Sequence, residues 1–273
     1  MTHPPDSAVF RIGPYRVLRH VAQGGAGAIY EVEDPTNETV HAMKLASTEP
    51  DSANRFEKIH RLLSRLEHPG IIRSNKHGVT RDGRSYLLLD MVDGEPAQVF
   101  AKAMGVPGSP DRTTAVITVA IHLAEALQYL HDHDVIHRDI KSANVLIRKD
   151  RSACLIDFGS AIIPGLAPAP DRFVGTYTYA SPEQIQNQAM DHRTDIYSMG
   201  VLLYRMLTGR RPLQAESTEE LINLHLHQRP VCASHWVNDL PASIIFLLDS
   251  MLEKEAEHRP QTAQNVADIL RNS

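Results

Sequence analysis

Cysteine is scarce in this chain of 273 residues. Only Cys154 and Cys232 are present, too few for a disulfide framework. Two free thiols suit a reducing compartment. A basic excess is missing as well. Twenty-eight Lys and Arg stand against 33 Asp and Glu, a formal net charge of −5, which argues against a nucleic-acid binder. Long apolar runs are absent. Stretches such as Ile244-Ile245-Phe246-Leu247-Leu248 fall short of the ~18–20 residues of a membrane span, so none is expected. The opening Met1-Thr2-His3-Pro4-Pro5-Asp6 lacks a basic-then-apolar signal pattern. Glycine (15) and proline (17) are too few for collagen-like text, and no internal repeat is visible. What is there is 42% hydrophobic and 22% charged, ordinary globular usage. The expectation is a cytoplasmic protein with one large domain or two small ones.

The text changes character along the chain. Residues 1–13 read as a polar leader. Tyr15 to Val21 alternates, reaches Gly24-Gly25-Ala26-Gly27, and resumes at Ile29 to Glu33, as two strands joined by a Gly-rich turn would. His41 to Leu45 and Tyr86 to Val92 read as further strands. Arg55 to Glu67 places Phe56, Ile59, Leu62, Leu63 and Leu66 at helix spacing, with His68-Pro69-Gly70 as the stop. After Asp93-Gly94 helices take over. Thr113–His133 is long and amphipathic, and Asp195–Leu207 is apolar all round, as a buried helix is. Ser217-Thr218-Glu219-Glu220 is a capping box that opens a helix at about Thr218. Ala242–Leu252 and Thr262–Leu270 are two more, and Pro164 to Pro170 reads as an irregular loop. Strand-rich text before helix-rich text predicts an α+β protein with two lobes, residues 14–92 and 93–271.

Polar residues then cluster at the start of the second part. His137-Arg138-Asp139 follows the long helix, Asn144 comes five residues on, and Asp157-Phe158-Gly159 ends the short strand at Ile156. Short strands and loops can gather Asp139, Asn144 and Asp157. Two carboxylates and an amide oxygen are hard donors suited to Mg²⁺, not to zinc or copper. Any one of these acids alone is more simply a solvated turn residue. Upstream, Gly24 and Gly27 free backbone N–H groups to approach phosphate, although a lone Gly-rich turn is most often just a hairpin. Lys44 sits among apolar strand residues one strand later. A strand lysine is usually a solvated edge charge, and this one stands where the same phosphates are within reach.

Together these residues resemble the protein kinase superfamily. The run is Gly24-x-x-Gly27-x-Ile29, Ala42-Met43-Lys44, His137-Arg138-Asp139-x-x-x-x-Asn144, Asp157-Phe158-Gly159 and Ser181-Pro182-Glu183, followed by Asp195 and Arg259. Glu67-His68-Pro69-Gly70-Ile71-Ile72 and Asp195-Ile196-Tyr197-Ser198-Met199-Gly200 are similar to bacterial, eukaryote-like Ser/Thr kinases. The resemblance covers roughly Tyr15 to Leu270. It implies a small sheet-rich N-lobe with one helix, a larger helical C-lobe, ATP and Mg²⁺ as cofactors, and a protein substrate with a Ser/Thr acceptor. Asp139 is then the catalytic base and Asn144 and Asp157 the metal ligands. Lys44 pairs the α/β-phosphates and Lys141 neutralises the γ-phosphate. Ala22, Gly24 and Gly27 line the phosphates. Ile29, Ala42 and Leu146 meet the adenine, and the backbone of Asp90 and Val92 bonds its edge, with Leu89 as gatekeeper. Thr176 stands beside the catalytic Asp, Glu183 pairs with Arg259, and Asp195 fastens the His-Arg-Asp loop.

The pattern departs from the family in two places. Ala22 replaces the first glycine of the Gly-rich motif. Ile59 occupies the position of the family's helix glutamate, and Glu57, the nearest acid, lies about 200° around the helix. A pseudokinase, a nucleotide-binding or scaffolding module, is therefore the alternative, with a small-molecule kinase as a third reading. The resemblance also implies that Arg138 often needs a phosphate on the loop from Ser160 to Thr176. That loop has no hydroxyl acceptor in its middle, only Asp171, and Pro164, Pro168 and Pro170 stiffen it. Control by a regulatory partner or an appended domain is the expectation.

Overall fold

The computed structural model describes residues 10–24, 27–47, 52–163 and 176–273. Pro164, Pro168, Pro170 and Asp171 of the expected loop lie outside the described residues, as do most of the leader and two residues of the Gly-rich turn. The chain divides into two compact units. One is Met1–Glu67 with Ile72–Val92, and the other is His68–Ile71 with Asp93–Ser273. The fold is α+β, a strand-rich unit and a mostly helical one.

The first unit is built from β1 (Arg11–Ile12), β2 (Tyr15–Gly24), β3 (Gly27–Glu33), β4 (Val40–Ala46), α1 (Ser52–Leu63), β5 (Ser74–Val79) and β6 (Ser85–Asp90). They form one antiparallel sheet in the order β1-β2-β3-β4-β6-β5. Period-two alternation divides the sheet into two faces. Val32, Met43, Leu45, Tyr86 and Leu88 fill one face with Ile12 and Tyr15, and the Tyr15 and Tyr86 rings meet edge-on at 5.9 Å. Ile12 falls within the expected leader. A two-residue strand carries too little alternation to be seen in sequence.

On α1, Phe56, Ile59 and Leu63 are buried. The helix ends at Leu63, four residues before the expected stop. Arg65 N–H bonds the Leu62 carbonyl in a tightened last turn, and Leu66 tucks in from outside the helix, 6% exposed.

The second unit holds β7 (Gly94–Pro96), α2 (Ala97–Ala103), α3 (Pro110–His131), β8 (Val145–Arg148), β9 (Ala153–Leu155), α4 (Pro182–Ile185), α5 (Arg193–Thr208), α6 (Thr218–His227), α7 (Ala242–Met251) and α8 (Ala263–Arg271). The sheet order is β7-β8-β9. Each expected helix is present within three residues of its predicted start. Proline at the first turn sets the start of α3 earlier than Thr113. Gly209, at φ 73°, closes α5 through its N–H to the Arg205 carbonyl. The Ser217 hydroxyl accepts from Glu220 N–H at 3.1 Å and caps α6 where the sequence placed it. α3 is long and apolar enough by length and composition to cross a membrane, the one such helix among the described residues. Its apolar side, including Val116, Val119, Leu123, Leu127 and Leu130, is buried inside the unit.

Candidate active site

In the first unit the sheet register sets the predicted nucleotide residues in rows. Directly opposed residues share a face. Ala22 stands opposite Ile29, Ile29 opposite Lys44, and Lys44 opposite Leu87. The next row is Glu31, Ala42 and Leu89. Ala22, Ile29, Ala42 and Lys44 therefore share the face opposite the aromatic core. Lys44 is 8% exposed. Gly24 pairs with Gly27 across the turn. Gly27 has φ 134°, and a Cβ there would lie 2.0 Å from the Leu45 carbonyl oxygen, so only glycine fits. At the end of β6, Asp90 is exposed and its carboxylate accepts from Asn75 Nδ2 at 2.7 Å, and its N–H bonds the Arg73 carbonyl. Val92 follows the strand and is half-buried.

The helix register is settled on α1. Ile59 points inward at 3% exposure, while Glu57 is half exposed and pairs with Arg61 at 2.8 Å along the same helix. The helix as it stands does not present Glu57 on its buried side. His60 is likewise occupied, with Nδ1 2.9 Å from the Ser74 hydroxyl.

In the second unit, the His137-Arg138-Asp139 turn is pinned from α5. Asp195 is fully buried. Its two carboxylate oxygens accept from the backbone N–H groups of His137 and Arg138, each at 2.8 Å, and Oδ2 lies 3.0 Å from His131 Nε2. These bonds hold Arg138 at φ 67°, a strained value for a residue with a side chain. Burial pushes the Asp195 carboxyl up, but hydrogen bonding and charge from His131, with the N–H donors, outweigh it, and the group stays ionised below its usual range. The Gln184 side chain adds a bond to the Arg138 carbonyl at 2.9 Å. His137 is buried beside Phe158. Its Nε2 donates to the Ile156 carbonyl at 3.1 Å and its Nδ1 accepts from Asp139 N–H at 3.3 Å. Burial pushes this imidazole below its usual value, so it is neutral and structural.

Asp139 emerges from that turn with one carboxylate oxygen, Oδ2, accepting from Lys141 Nζ at 2.7 Å and from Asn144 Nδ2 at 2.8 Å. Asn144 Nδ2 also donates to the Asp139 carbonyl at 2.8 Å. With the amide nitrogen turned to Asp139, the Asn144 carbonyl oxygen is directed away as an acceptor. Asn144 is tied by its own backbone carbonyl to Ile156 N–H at 2.9 Å, which sets it next to the segment that carries Asp157. Asp157 adopts φ 61° and ψ 80°, with Oδ1 accepting from Gly159 N–H at 3.0 Å. Two hard oxygen donors, the Asn144 carbonyl and the Asp157 carboxylate, fit a hard divalent cation. Lys141 also reaches Thr176 Oγ1 at 3.2 Å, so one ammonium links the acid to the segment that starts at Thr176. Leu146 lies on β8 opposite Pro96 and Cys154, half-buried.

That segment is anchored below by Glu183 and Arg259. The pair is bidentate, at 2.8 and 2.9 Å, and Arg259 further donates to the carbonyls of Arg193, Glu253 and Lys254. Burial pushes the Glu183 carboxyl up, and Arg259 more than offsets it, so it lies below its usual range.

The family model for the protein kinase domain matches residues 15–269. The chain belongs to the protein kinase family. Similar relatives include the serine/threonine-protein kinase pkn2 of Myxococcus xanthus, 34% identical over 97% of this chain and 33% of that protein. PknH of Mycobacterium bovis is 34% identical over 83% of this chain and 38% of its own length. PknD of Mycobacterium tuberculosis is 35% identical over 79% and 33%. The resemblance to bacterial serine/threonine kinases is borne out. The chain spans about a third of the length of the curated relatives it matches.

Sequence reasoning missed Gln184, His131 and Ser142. Their bonds go to the Arg138 carbonyl, to Asp195 and from the Gln98 N–H. Partners 44 to 64 residues away leave no local pattern to read.

Proposed function

We propose that the chain is an ATP- and Mg²⁺-dependent kinase domain that phosphorylates Ser or Thr in protein substrates. The observation that carries this reading is the Lys141 ammonium shared by the Asp139 carboxylate and the Thr176 hydroxyl. It joins the acid to the segment that the family uses at the substrate.

In this reading the substrate hydroxyl oxygen bonds the γ-phosphorus, the bond to ADP breaks, and the hydroxyl proton passes to Asp139. Asn144 turns Asp139 through its amide and keeps its own carbonyl for the cation. Asn144 and Asp157 would hold Mg²⁺, which supplies charge neutralisation on the phosphates. Lys141 steadies charge on the transferred group. Lys44 takes the α/β-phosphates, and Ala22, Gly24 and Gly27 lie along the phosphate chain. Ile29, Ala42 and Leu146 take the adenine with the Asp90 and Val92 backbone. Catalysis is positioning and electrostatics, without a covalent step. A cytoplasmic site is part of the proposal, since ATP and the free thiols Cys154 and Cys232 both belong in a reducing compartment. The greater length of the relatives supports an appended domain or partner as the regulatory input.

A second reading has its own observation. Ile59 faces inward and Glu57 is committed to Arg61, so α1 offers Lys44 neither, as a pseudokinase would. Radiolabelled ATP and a generic protein substrate separate the two. Phosphotransfer by the wild type, abolished by Asp157→Asn and lowered at least about 100-fold by Asp139→Asn with ATP binding kept, supports the kinase. ATP binding without transfer supports the scaffold, and equal activity of all three proteins rejects the assigned site.

A further inference from the structure

The 3-10 turn Tyr177–Tyr179 begins at Thr176, where Lys141 joins it to Asp139. Tyr179 closes that turn, its N–H donating to the Thr176 carbonyl at 2.9 Å. α5 fixes Tyr179 at two further points. Ser198 donates its hydroxyl to the Tyr179 carbonyl at 2.8 Å, and Arg205 Nη1 donates to the Tyr179 hydroxyl, also at 2.8 Å. A line of bonded residues therefore runs from Asp139 through Lys141, Thr176 and Tyr179 to the Arg205 guanidinium.

Arg205 differs from the other cations along this segment. Lys141 is committed to Asp139, and Arg259 to Glu183. Arg205 meets only a hydroxyl, and among the described residues no carboxylate pairs with it. The residue is half-buried, and none of its nitrogens is buried without a partner, so the rest of the guanidinium is open to solvent. A guanidinium carries five N–H donors in a planar fork. One is spent on Tyr179. The Nε–Nη2 edge keeps a parallel pair, the geometry that takes a carboxylate through two bonds.

A cation in the last turn of α5 also suits the negative end of that helix. That use requires no contact with the turn, whereas the bond to Tyr179 directs the guanidinium to the segment beside the acid. A protein hydroxyl delivered to Asp139 has to pass along the same segment. Extended peptide covers about 3.3–3.6 Å per residue, so residues a few positions from the acceptor come level with Arg205.

We propose that Arg205 is a specificity-determining residue that takes a carboxylate side chain flanking the acceptor, so that the substrates are acidic around Ser or Thr. The inference rests on the kinase reading for phosphotransfer, while the carboxylate contact is a binding event of its own. It is tested with peptides that carry one Ser in a background of Ala and Gly, with a single Glu placed in turn at each position up to about four residues either side. Glu at one of these positions raises kcat/KM about 10-fold over the neutral peptide, chiefly through KM, as a charge-assisted pair does. Arg205→Gln brings that ratio to about one, and Arg205→Lys keeps part of it. Arg205→Glu reverses the preference, so that Lys is favoured at the same position. KM for ATP stays at the wild-type value throughout.

The preference is a ratio of two peptides on one preparation, so a smaller folded fraction in a variant cancels. A cation that served only the helix end would leave the ratio and its sign unchanged in every variant. A wild type indifferent to Glu at every position overturns the inference, and so does a preference that survives Arg205→Glu. If no peptide is phosphorylated, the kinase reading fails, and labelled peptides with Ala in place of Ser decide this inference by fluorescence anisotropy at low salt. Tighter binding of a Glu peptide to wild type than to Arg205→Glu supports it; equal binding, or none, overturns it.

Discussion

Ile59 is the residue at which the sequence is expected to part most plainly from the kinase pattern. Its side chain is an ordinary core group in its own unit. Ile59→Ala removes buried methyl and methylene groups and leaves a cavity, a loss of about 2–4 kcal/mol. Glu57→Ala removes an exposed partner from an exposed pair, worth less than about 0.5 kcal/mol, and leaves phosphotransfer unchanged. Urea denaturation and initial-rate assays check both. A large loss of activity in Glu57→Ala would show that the helix turns in the working enzyme. Much at this scale was readable because phosphoryl transfer puts chemically distinctive residues at fixed spacing. Asp139, Asn144 and Asp157 announce themselves by type. His225 and Gln184 do not, because their partners, the Tyr197 phenol and the Arg138 carbonyl, lie far along the chain and their chemistry is generic.

Helices and strands were legible to different degrees. The all-apolar text from Asp195 predicted a buried helix, and α5 is buried on nearly every side. The capping box at Ser217 fixed the start of α6 because the signal is the bond itself. The end of α1 was misplaced. Leu66 continues the helical spacing but is buried from a turn, and periodicity cannot tell those apart.

α5 contains a glycine that no helix signal would favour. Gly200 lies where α5 meets α7, and a Cβ built on it would stand 2.8 Å from Met251 Cβ and 3.3 Å from Leu252 Cδ2. Alanine gains about 1 kcal/mol of helix propensity but has to move a neighbouring helix, at about 1–3 kcal/mol. Gly200→Ala is expected to lose about 1 kcal/mol net and Gly200→Val clearly more. Denaturant midpoints at unchanged slope report the difference. A stabilised alanine variant would show that the approach of α5 to α7 is loose.

For the molecule as a whole, the second unit concentrates buried ionisable groups, and this sets its response to acid. The only tryptophan, Trp236, lies in that unit, so its fluorescence follows the transition. His225 and His137 are both held below their usual value by burial. Between pH 6.5 and about 4 the unfolded chain binds a proton at His225 that the folded chain refuses. More protons on the unfolded state means that stability falls as the pH is lowered. The shift at His225 from 6.5 to about 4 corresponds to a loss on the order of 3 kcal/mol across that window. The groups facing its ring reinforce the sign. Lys254 adds positive charge and the Tyr197 phenol stays neutral. Asp195 and Glu183 work on the same side at lower pH. Their carboxyls lie below the usual range, so they stabilise the fold above pH 3.8 and 4.5 and lose that contribution as pH drops through their folded values. The urea midpoint read by tryptophan should therefore fall between pH 7 and pH 4.5, and fall less in His225→Gln, which has no proton to take up. A wild-type midpoint that holds steady over that range, or a Gln variant with the full wild-type decline, would mean that His225 is protonated in the folded protein.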